Sequence, residues 1–189
     1  MSAGIKGDAT ESEILHQGAT AFKFDNTGIT SGIIKSGTAT ATTSGTSIDY
    51  TSIPSGVKKI TISFFDVSTN GTSHKLIQIG TGGSPTTTGY NAVGHILTTA
   101  IALTGYTAGF GIRSGIAAAT VSGAATLTLL DSSDDTWAIS GVLSQNVNNY
   151  TFLLSGSVAL AGTLDMIRLT TANGTDTYDG GKINILYES

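Results

Sequence analysis

Side chains that commonly do chemistry are sparse in this chain of 189 residues. His16, His74 and His95 lie far apart, and no His-x-His or His-Glu-x-x-His spacing occurs. The chain has no Cys, which excludes disulfides, thiolate metal sites and a cysteine nucleophile. The sequence therefore predicts no metal site, although a single histidine per chain could still meet its copies on the axis of a trimer.

Acidic side chains form the second group of candidates. Asp131, Asp134 and Asp135 lie within five positions, but the segment lacks the alternating spacing and the final Glu of an EF-hand loop. A solvated turn is the simpler interpretation. The glycine-rich segment 81–88 has no Lys, and no Gly-x-Ser-x-Gly occurs. We expect no cofactor and no enzyme activity, although a pair of carboxylates that cleaves glycans stays open because sequence cannot set their separation.

Aromatic side chains near predicted loops are the remaining binding candidates. Tyr90, Tyr106 and Tyr150 could stack on the sugars of a host surface glycan. They could equally fill the ends of a sandwich between two sheets, which is the simpler interpretation.

Composition indicates the elements that would position these residues. Charged residues make up 12% of the chain, against about 25% in average proteins, and 25 Gly accompany abundant Thr and Ser. Thr suits half-exposed strand faces, and Gly suits turns and bulges. We therefore predict an all-β, antiparallel β-sandwich with jelly-roll-like character. A surface poor in charge is easily buried against copies of itself, so we expect an oligomer, with a monomer coated in Ser and Thr as the alternative.

Charge and hydropathy also exclude two classes of partner. The formal net charge is −4, and the nine basic residues are spread along the chain, so we expect no contact with nucleic acid. No run of about 18 apolar residues occurs, and residues 1–13 contain no apolar segment typical of a signal peptide. We expect neither membrane insertion nor export.

Turn signals predict three hairpins along the chain. The strands 124–131 and 136–143 flank the polar turn at Asp131. Asn70-Gly71 and Asn173-Gly174 predict type I′ turns, which need positive φ at both central residues. The register that follows from the turn at Asn70 pairs Ile62 with Ile79, Phe64 with Ile77 and Asp66 with Lys75. The register that follows from the turn at Asn173 pairs Leu164 with Ile183, Asp165 with Lys182 and Arg168 with Asp179. Residues 89–123 predict brief strands, and 116–120 could form one helical turn.

Residues 1–36 differ from the rest and predict an extended N-terminal arm that attaches to a partner, with residues 37–189 as the sandwich. Thr10 and Glu13 have the spacing of a capping box, which could begin a helical turn over residues 11–17. A frayed terminus is the alternative. The apolar side chains that such an arm would offer a partner are Ile14, Leu15, Phe22 and Phe24.

From about Thr46 to its C-terminus, the sequence resembles a recurrent C-terminal module of tail-fibre and related virion proteins of tailed bacteriophages. Trp137 and Ser140-Gly141 belong to the resemblance, and its most specific part is the closing block. The segments that carry it are 49–61, 67–73, 77–80, 88–90, 160–171, 173–181 and 183–188. The resemblance implies a β-rich, usually homotrimeric virion part without catalytic residues.

Such fibres usually place this module after a long shaft, whereas only about 40 residues precede it here. The resemblance therefore favours a trimeric capsid decoration or cement protein that projects from the particle surface. Its partners would be its own copies and the capsid or another virion protein, and it would be made in the host cytoplasm. The alternative is a tail-fibre-like receptor-binding protein that recognises host surface glycan.

Overall fold

The computed structural model describes residues 34–98 and 101–189 in full, and the backbone of four strands within residues 1–33. Every regular element that it describes is a β-strand. The chain divides into two compact units, residues 1–35 and 36–189.

The first unit contains four strands, β1 (Ala3–Gly7), β2 (Glu11–His16), β3 (Ala19–Asp25) and β4 (Gly28–Ser31), which pair antiparallel in the order β1-β2-β3-β4. The helical turn predicted over residues 11–17 is wrong, because β2 pairs with a strand on each side. A helix of about seven residues is marginal in water, whereas two neighbouring strands satisfy the same backbone groups. Paired strands thus occupy the segment that was expected to be an extended arm.

The apolar residues predicted for that arm lie on β2 and β3. Ile14 faces Phe22 in the backbone register, Phe24 faces Ser12, and Leu15 faces Thr20. Their side chains lie outside the described part of the structure, so their proposed role stays a prediction.

The second unit is built from two antiparallel sheets. The larger sheet has the strand order β12-β11-β16-β15-β14-β8-β18, with β6 also paired to β18. The smaller sheet has the order β10-β9-β17-β7, with β13 paired to β9. The strands are β5 (Ile34–Ser36, at the boundary between the units), β6 (Thr40–Ala41), β7 (Ile48–Tyr50), β8 (Lys59–Thr69), β9 (Lys75–Thr81), β10 (Ser84–Pro85), β11 (Asn91–Leu97), β12 (Ile101–Tyr106), β13 (Phe110–Ile112), β14 (Val121–Asp131), β15 (Thr136–Gln145), β16 (Thr151–Ala159), β17 (Met166–Thr171) and β18 (Tyr178–Glu188).

Apolar side chains from both sheets form one continuous core. The larger sheet contributes alternate residues of its strands, such as Leu127 and Ile139, and the smaller sheet contributes Ile77 and Leu169. Trp137 is also almost fully buried in this core. The alternation of buried and exposed positions follows from the two-residue period of a strand. The predicted all-β, antiparallel sandwich is confirmed.

The hairpin around the acidic turn is confirmed. On β14 and β15, Leu127 faces Ile139 and Leu129 faces Trp137. The Asp131 Oδ1 atom accepts a hydrogen bond from the Ser133 backbone N–H, as expected for a solvated turn. The brief strands predicted in residues 89–123 also form, as β12 and β13, but residues 116–120 make a turn instead of a helix.

Both Asn-Gly hairpins are wrong, and none of their six predicted pairs forms. Strand β8 pairs with β14 and β18 in the larger sheet, whereas β9 pairs with β17, β10 and β13 in the smaller one. The segment at Asn70 therefore carries the chain from one sheet to the other, and the segment at Asn173 does the same between β17 and β18. Neither asparagine has a positive φ, so a type I′ turn is not formed at either place.

Different neighbours replace the predicted ones. Ile62 faces Ala125 and Ile185 across the larger sheet. Arg168 faces Asp49 on β7, and their side chains form a two-pronged ion pair with two contacts of 2.7 Å.

Candidate functional site

Two of the three tyrosines predicted to contact glycan are buried. Tyr90 is 3% exposed, and its hydroxyl oxygen accepts a hydrogen bond from the Ile79 N–H at 2.9 Å. The Tyr106 hydroxyl lies 2.7 Å from His74 Nδ1. Both rings fill the interior of the sandwich, so the glycan prediction is wrong for them. Tyr150 is half-buried at the border of an open recess, so its contact with glycan stays a prediction.

The two segments that cross between the sheets lie side by side, and we call residues 69–75 and 171–179 the paired corner. The Asn70 N–H donates to the Thr177 carbonyl at 3.0 Å, and Asn70 Oδ1 accepts from the Thr177 N–H at 2.9 Å. The Asp176 carboxylate accepts from the Ser73 N–H at 2.8 Å and from the Asn173 side-chain amide. Side chains thus satisfy backbone groups that no strand partner reaches.

A fully buried lysine lies in the paired corner. Burial lowers the pKa of Lys75 to about 8, and the nearby carboxylates of Asp179 and Asp176 offset part of that effect. Its ammonium group has one hydrogen-bond partner among the described residues, the Thr69 hydroxyl at 3.4 Å. An amine with a lowered pKa is a potential nucleophile, but this one has no exposed surface for a substrate to approach. Its role is therefore structural.

His74 precedes this lysine in the chain, and its environment disfavours the charged form of its ring. Burial lowers the pKa of His74, and the positive charges of Arg113 and Lys75 lower it further. The ring is thus neutral at pH 7, which suits its short contact with the Tyr106 hydroxyl.

The outer side of the larger sheet is the most unusual surface of the second unit. Apart from Asp131 at the last position of β14, five neighbouring strands, β14, β15, β16, β11 and β12, present no Asp, Glu, Lys or Arg at any outward position that the structure describes. We call this surface the uncharged face. Its outward residues are Ser122, Ala124, Thr126, Thr128, Leu130, Thr136, Ala138, Ser140, Val142, Ser144, Thr151, Leu153, Ser155, Ser157, Ala159, Asn91, Val93, His95, Leu97, Ile101, Leu103 and Gly105.

Four apolar side chains and one histidine form a row across the uncharged face, which we call the apolar row. The strand registers align Ala124, Val142, Leu153, His95 and Leu103 from β14 to β12. Val142 is 58% exposed and Leu103 is 63% exposed. The centre of the row borders a shallow hollow of about 630 Å³. Exposed apolar groups that are continuous across strands are typical of an interaction surface.

Alternating Ser and Thr in the strands was the signal that could have located this face from sequence. Segments such as 122–128 and 151–157 place hydroxyl or apolar residues at every second position. Which strands are neighbours, and hence that the face is continuous, could not be derived from it. Asp66, which lines the recess beside Tyr150, was also missed as a candidate.

The described residues contain no group of three or more His, Asp or Glu side chains placed to hold a metal ion. They also contain no helix with the length and apolar character needed to cross a membrane. Comparison with protein-family models, with curated proteins and with solved structures finds no match to the chain.

Proposed function

We propose that the protein is a non-enzymatic structural component of a tailed-bacteriophage virion, which assembles into trimers and decorates the capsid. The sequence resemblance over the C-terminal three quarters of the chain suggests the virion. The uncharged face is the observation that supports assembly, because a surface without ionic groups can be buried without desolvating a charge.

The size of the uncharged face suits contact with another copy of the chain. Five strands at about 4.8 Å spacing, each about seven residues long, give a sheet area of roughly 24 Å by 24 Å. Pleating and side chains make the accessible area larger than this projection. Specific interfaces of ordinary size bury about 800 Å² on each partner, which is of the same order. Exposed hydroxyls on the face can form hydrogen bonds to a partner while the apolar row is buried.

Self-association through this face is tested by introducing a charge in the apolar row. Val142→Glu should reduce the molecular mass in solution, measured by analytical ultracentrifugation, because the carboxylate would be buried at the interface without a partner. Phe65→Glu is the matched control, since Phe65 is 59% exposed but lies on β8, outside the five strands of the face. An unchanged mass for Val142→Glu would contradict the assignment of the interface.

Attachment to the particle is proposed to reside in residues 1–36. Immunogold electron microscopy on lysates of the bacterium that carries the gene would locate the chain. We expect label on particles with the full chain and loss of that label when residues 1–33 are deleted. Label on cell debris alone would contradict the virion assignment, and label retained by the deletion variant would contradict the attachment role.

Receptor binding is the second candidate, and Tyr150 at the border of the recess is the observation that favours it. A cell-binding assay with purified protein separates the two functions. A decoration protein should bind particles and leave host cells unlabelled, whereas a receptor-binding protein should label the cells.

A further inference from the structure

The sequence Asn-Gly-Thr occurs twice in the paired corner, at residues 70–72 and 173–175. An asparagine before a glycine can cyclise, because the glycine nitrogen can attack the side-chain carbonyl carbon and glycine has no Cβ to hinder the approach. Asn70 and Asn173 are both exposed, so water reaches each of them. Exposure therefore does not distinguish the two sites, but the hydrogen bonds around them do.

The tripeptide at Asn173 is held at every group that would react. The Asn173 side-chain nitrogen, which would leave, donates to the Asp176 carboxylate. The Gly174 N–H, which would attack, donates to the Thr171 carbonyl at 3.0 Å. The Asn173 Oδ1 atom accepts from the N–H groups of Thr175 and Asp176 at 3.0 and 3.2 Å. Cyclisation would break such bonds, since the side chain has to turn towards the Gly174 nitrogen.

The tripeptide at Asn70 leaves the same two reacting groups free. Neither the Asn70 side-chain nitrogen nor the Gly71 N–H has a hydrogen-bond partner among the residues that the structure describes. One bond fixes the Asn70 side chain, in which Oδ1 accepts from the Thr177 N–H at 2.9 Å. Donors to this oxygen, present at both sites, stabilise the negative charge that the attack places on it. The nucleophile and the leaving group are thus unbound at Asn70 and bound at Asn173.

We propose that Asn70 is a site of spontaneous deamidation in the folded protein and that the fold protects Asn173. The Gly71 nitrogen gives its proton to hydroxide and forms a bond to the Asn70 Cγ atom. The bond from Cγ to Nδ2 breaks, and the nitrogen takes a proton from water and leaves as ammonia, so that a cyclic imide remains. Water then opens the imide at the bond from the Gly71 nitrogen to Cγ, which gives aspartate, or at the bond to the main-chain carbonyl carbon, which gives isoaspartate. One water is consumed and one ammonia is released.

The isoaspartate product changes the backbone of the paired corner. Isoaspartate carries the main chain through Cγ and so adds one methylene between residues 70 and 71. Two bonds to Thr177 hold residue 70, one from its N–H at 3.0 Å and one to its Oδ1 at 2.9 Å. The longer backbone shifts these groups relative to each other, so we expect one of the two bonds to be lost. The reaction needs no partner and is independent of the proposed virion role.

Peptide mapping by mass spectrometry on the full chain measures the reaction at both sites at once. The folded chain is kept for several weeks at neutral and at mildly alkaline pH, and it is digested at acidic pH so that digestion adds no deamidation. Asn70 should be converted at least about tenfold faster than Asn173, because cyclisation at Asn173 breaks hydrogen bonds of both the nucleophile and the leaving group. Aspartate and isoaspartate should both appear at position 70, and conversion should be faster at the higher pH because the attacking nitrogen must lose its proton.

The chain unfolded in guanidinium chloride is the matched control, because unfolding removes the hydrogen bonds and keeps both tripeptides. Asn70 and Asn173 should then react at similar rates. Three results would overturn the proposal: Asn70 stays an amide in the folded chain while it reacts in the unfolded chain, Asn173 is converted as fast as Asn70 in the folded chain, or the difference between the two persists after unfolding.

Discussion

We expect the buried lysine of the paired corner to make the stability of this protein rise with pH above neutrality. Lys75 has a pKa of about 8 in the folded chain, against about 10.5 when unfolded. Below about pH 8 both states carry the proton, and the folded state bears the full burial penalty of the charge. Between about pH 8 and about pH 10 the folded state releases the proton while the unfolded state keeps it. Stability therefore increases as pH rises through this window.

The expected size of the effect follows from the pKa difference. One pKa unit corresponds to about 1.4 kcal/mol, so raising the pH from about 7 to about 9.5 should increase the free energy of unfolding by about 2 kcal/mol. An opposing effect begins above about pH 10. Burial raises the pKa of Tyr90 and Tyr106 to about 12, and it raises the pKa of Tyr178 as well. Unfolded tyrosines lose their protons near pH 10, so unfolding becomes easier there.

Urea unfolding at fixed protein concentration, followed by the fluorescence of the single Trp137, measures this dependence. Lys75→Met keeps a long side chain of similar shape and removes the titrating group. Its stability should be flat from about pH 7 to about pH 9.5, and at pH 7 it should equal or exceed that of the unmodified chain. A flat profile for the unmodified chain, or a rise that persists in Lys75→Met, would refute the reasoning.

Two further substitutions test the packing of the second unit. Gly71→Ala should destabilise it by about 1–3 kcal/mol in urea unfolding, because the added Cβ would overlap the Asp176 carboxylate, which Asn173 and Ser73 hold in place. Gly105→Ala is the control and should change stability little, because a Cβ there meets nothing within 4 Å. Equal effects of the two substitutions would contradict this reasoning. Asp49→Asn should lower stability by less than about 1 kcal/mol, because its ion pair with Arg168 is partly exposed, and the loss should disappear in high salt. A loss of stability that is the same in high salt would contradict this prediction.

The sheets of the sandwich could be predicted only where neighbouring strands follow one another in the chain. Strands β14 and β15 alternate cleanly and are joined by an acidic turn, so their pairing could be predicted from the sequence. The Asn-Gly pairs mark places where the chain leaves one strand for the next, but they predicted the wrong partner strands. A periodic pattern shows which face of a strand is buried, and it carries no information on which distant strand lies beside it.

Strand β9 shows a second limit of the pattern. From Lys75 to Gly80 every residue is buried, including Gln78, whose side-chain amide donates to the Ala108 carbonyl at 2.8 Å. A strand that is covered on both faces has no alternation of exposure, so polar residues in it resemble the outward residues of an edge strand. The recess was missed for a related reason, because its residues come from β8, β14, β15 and the turn before β16.

Low charge was a property of the whole composition, and the structure shows where the charge is missing. Beyond the uncharged face, the same sheet continues into β8 and β18, whose outer side carries Lys59 and Glu188 in an ion pair of 2.9 Å and Lys182 above the Phe65 ring. One sheet thus has a charged half and a half whose one charged outward residue among those described, Asp131, lies at the end of β14. A uniform scarcity of charged residues over the whole surface would suit a monomer covered by hydroxyls. A scarcity concentrated on five adjacent strands favours a surface that is buried against a partner.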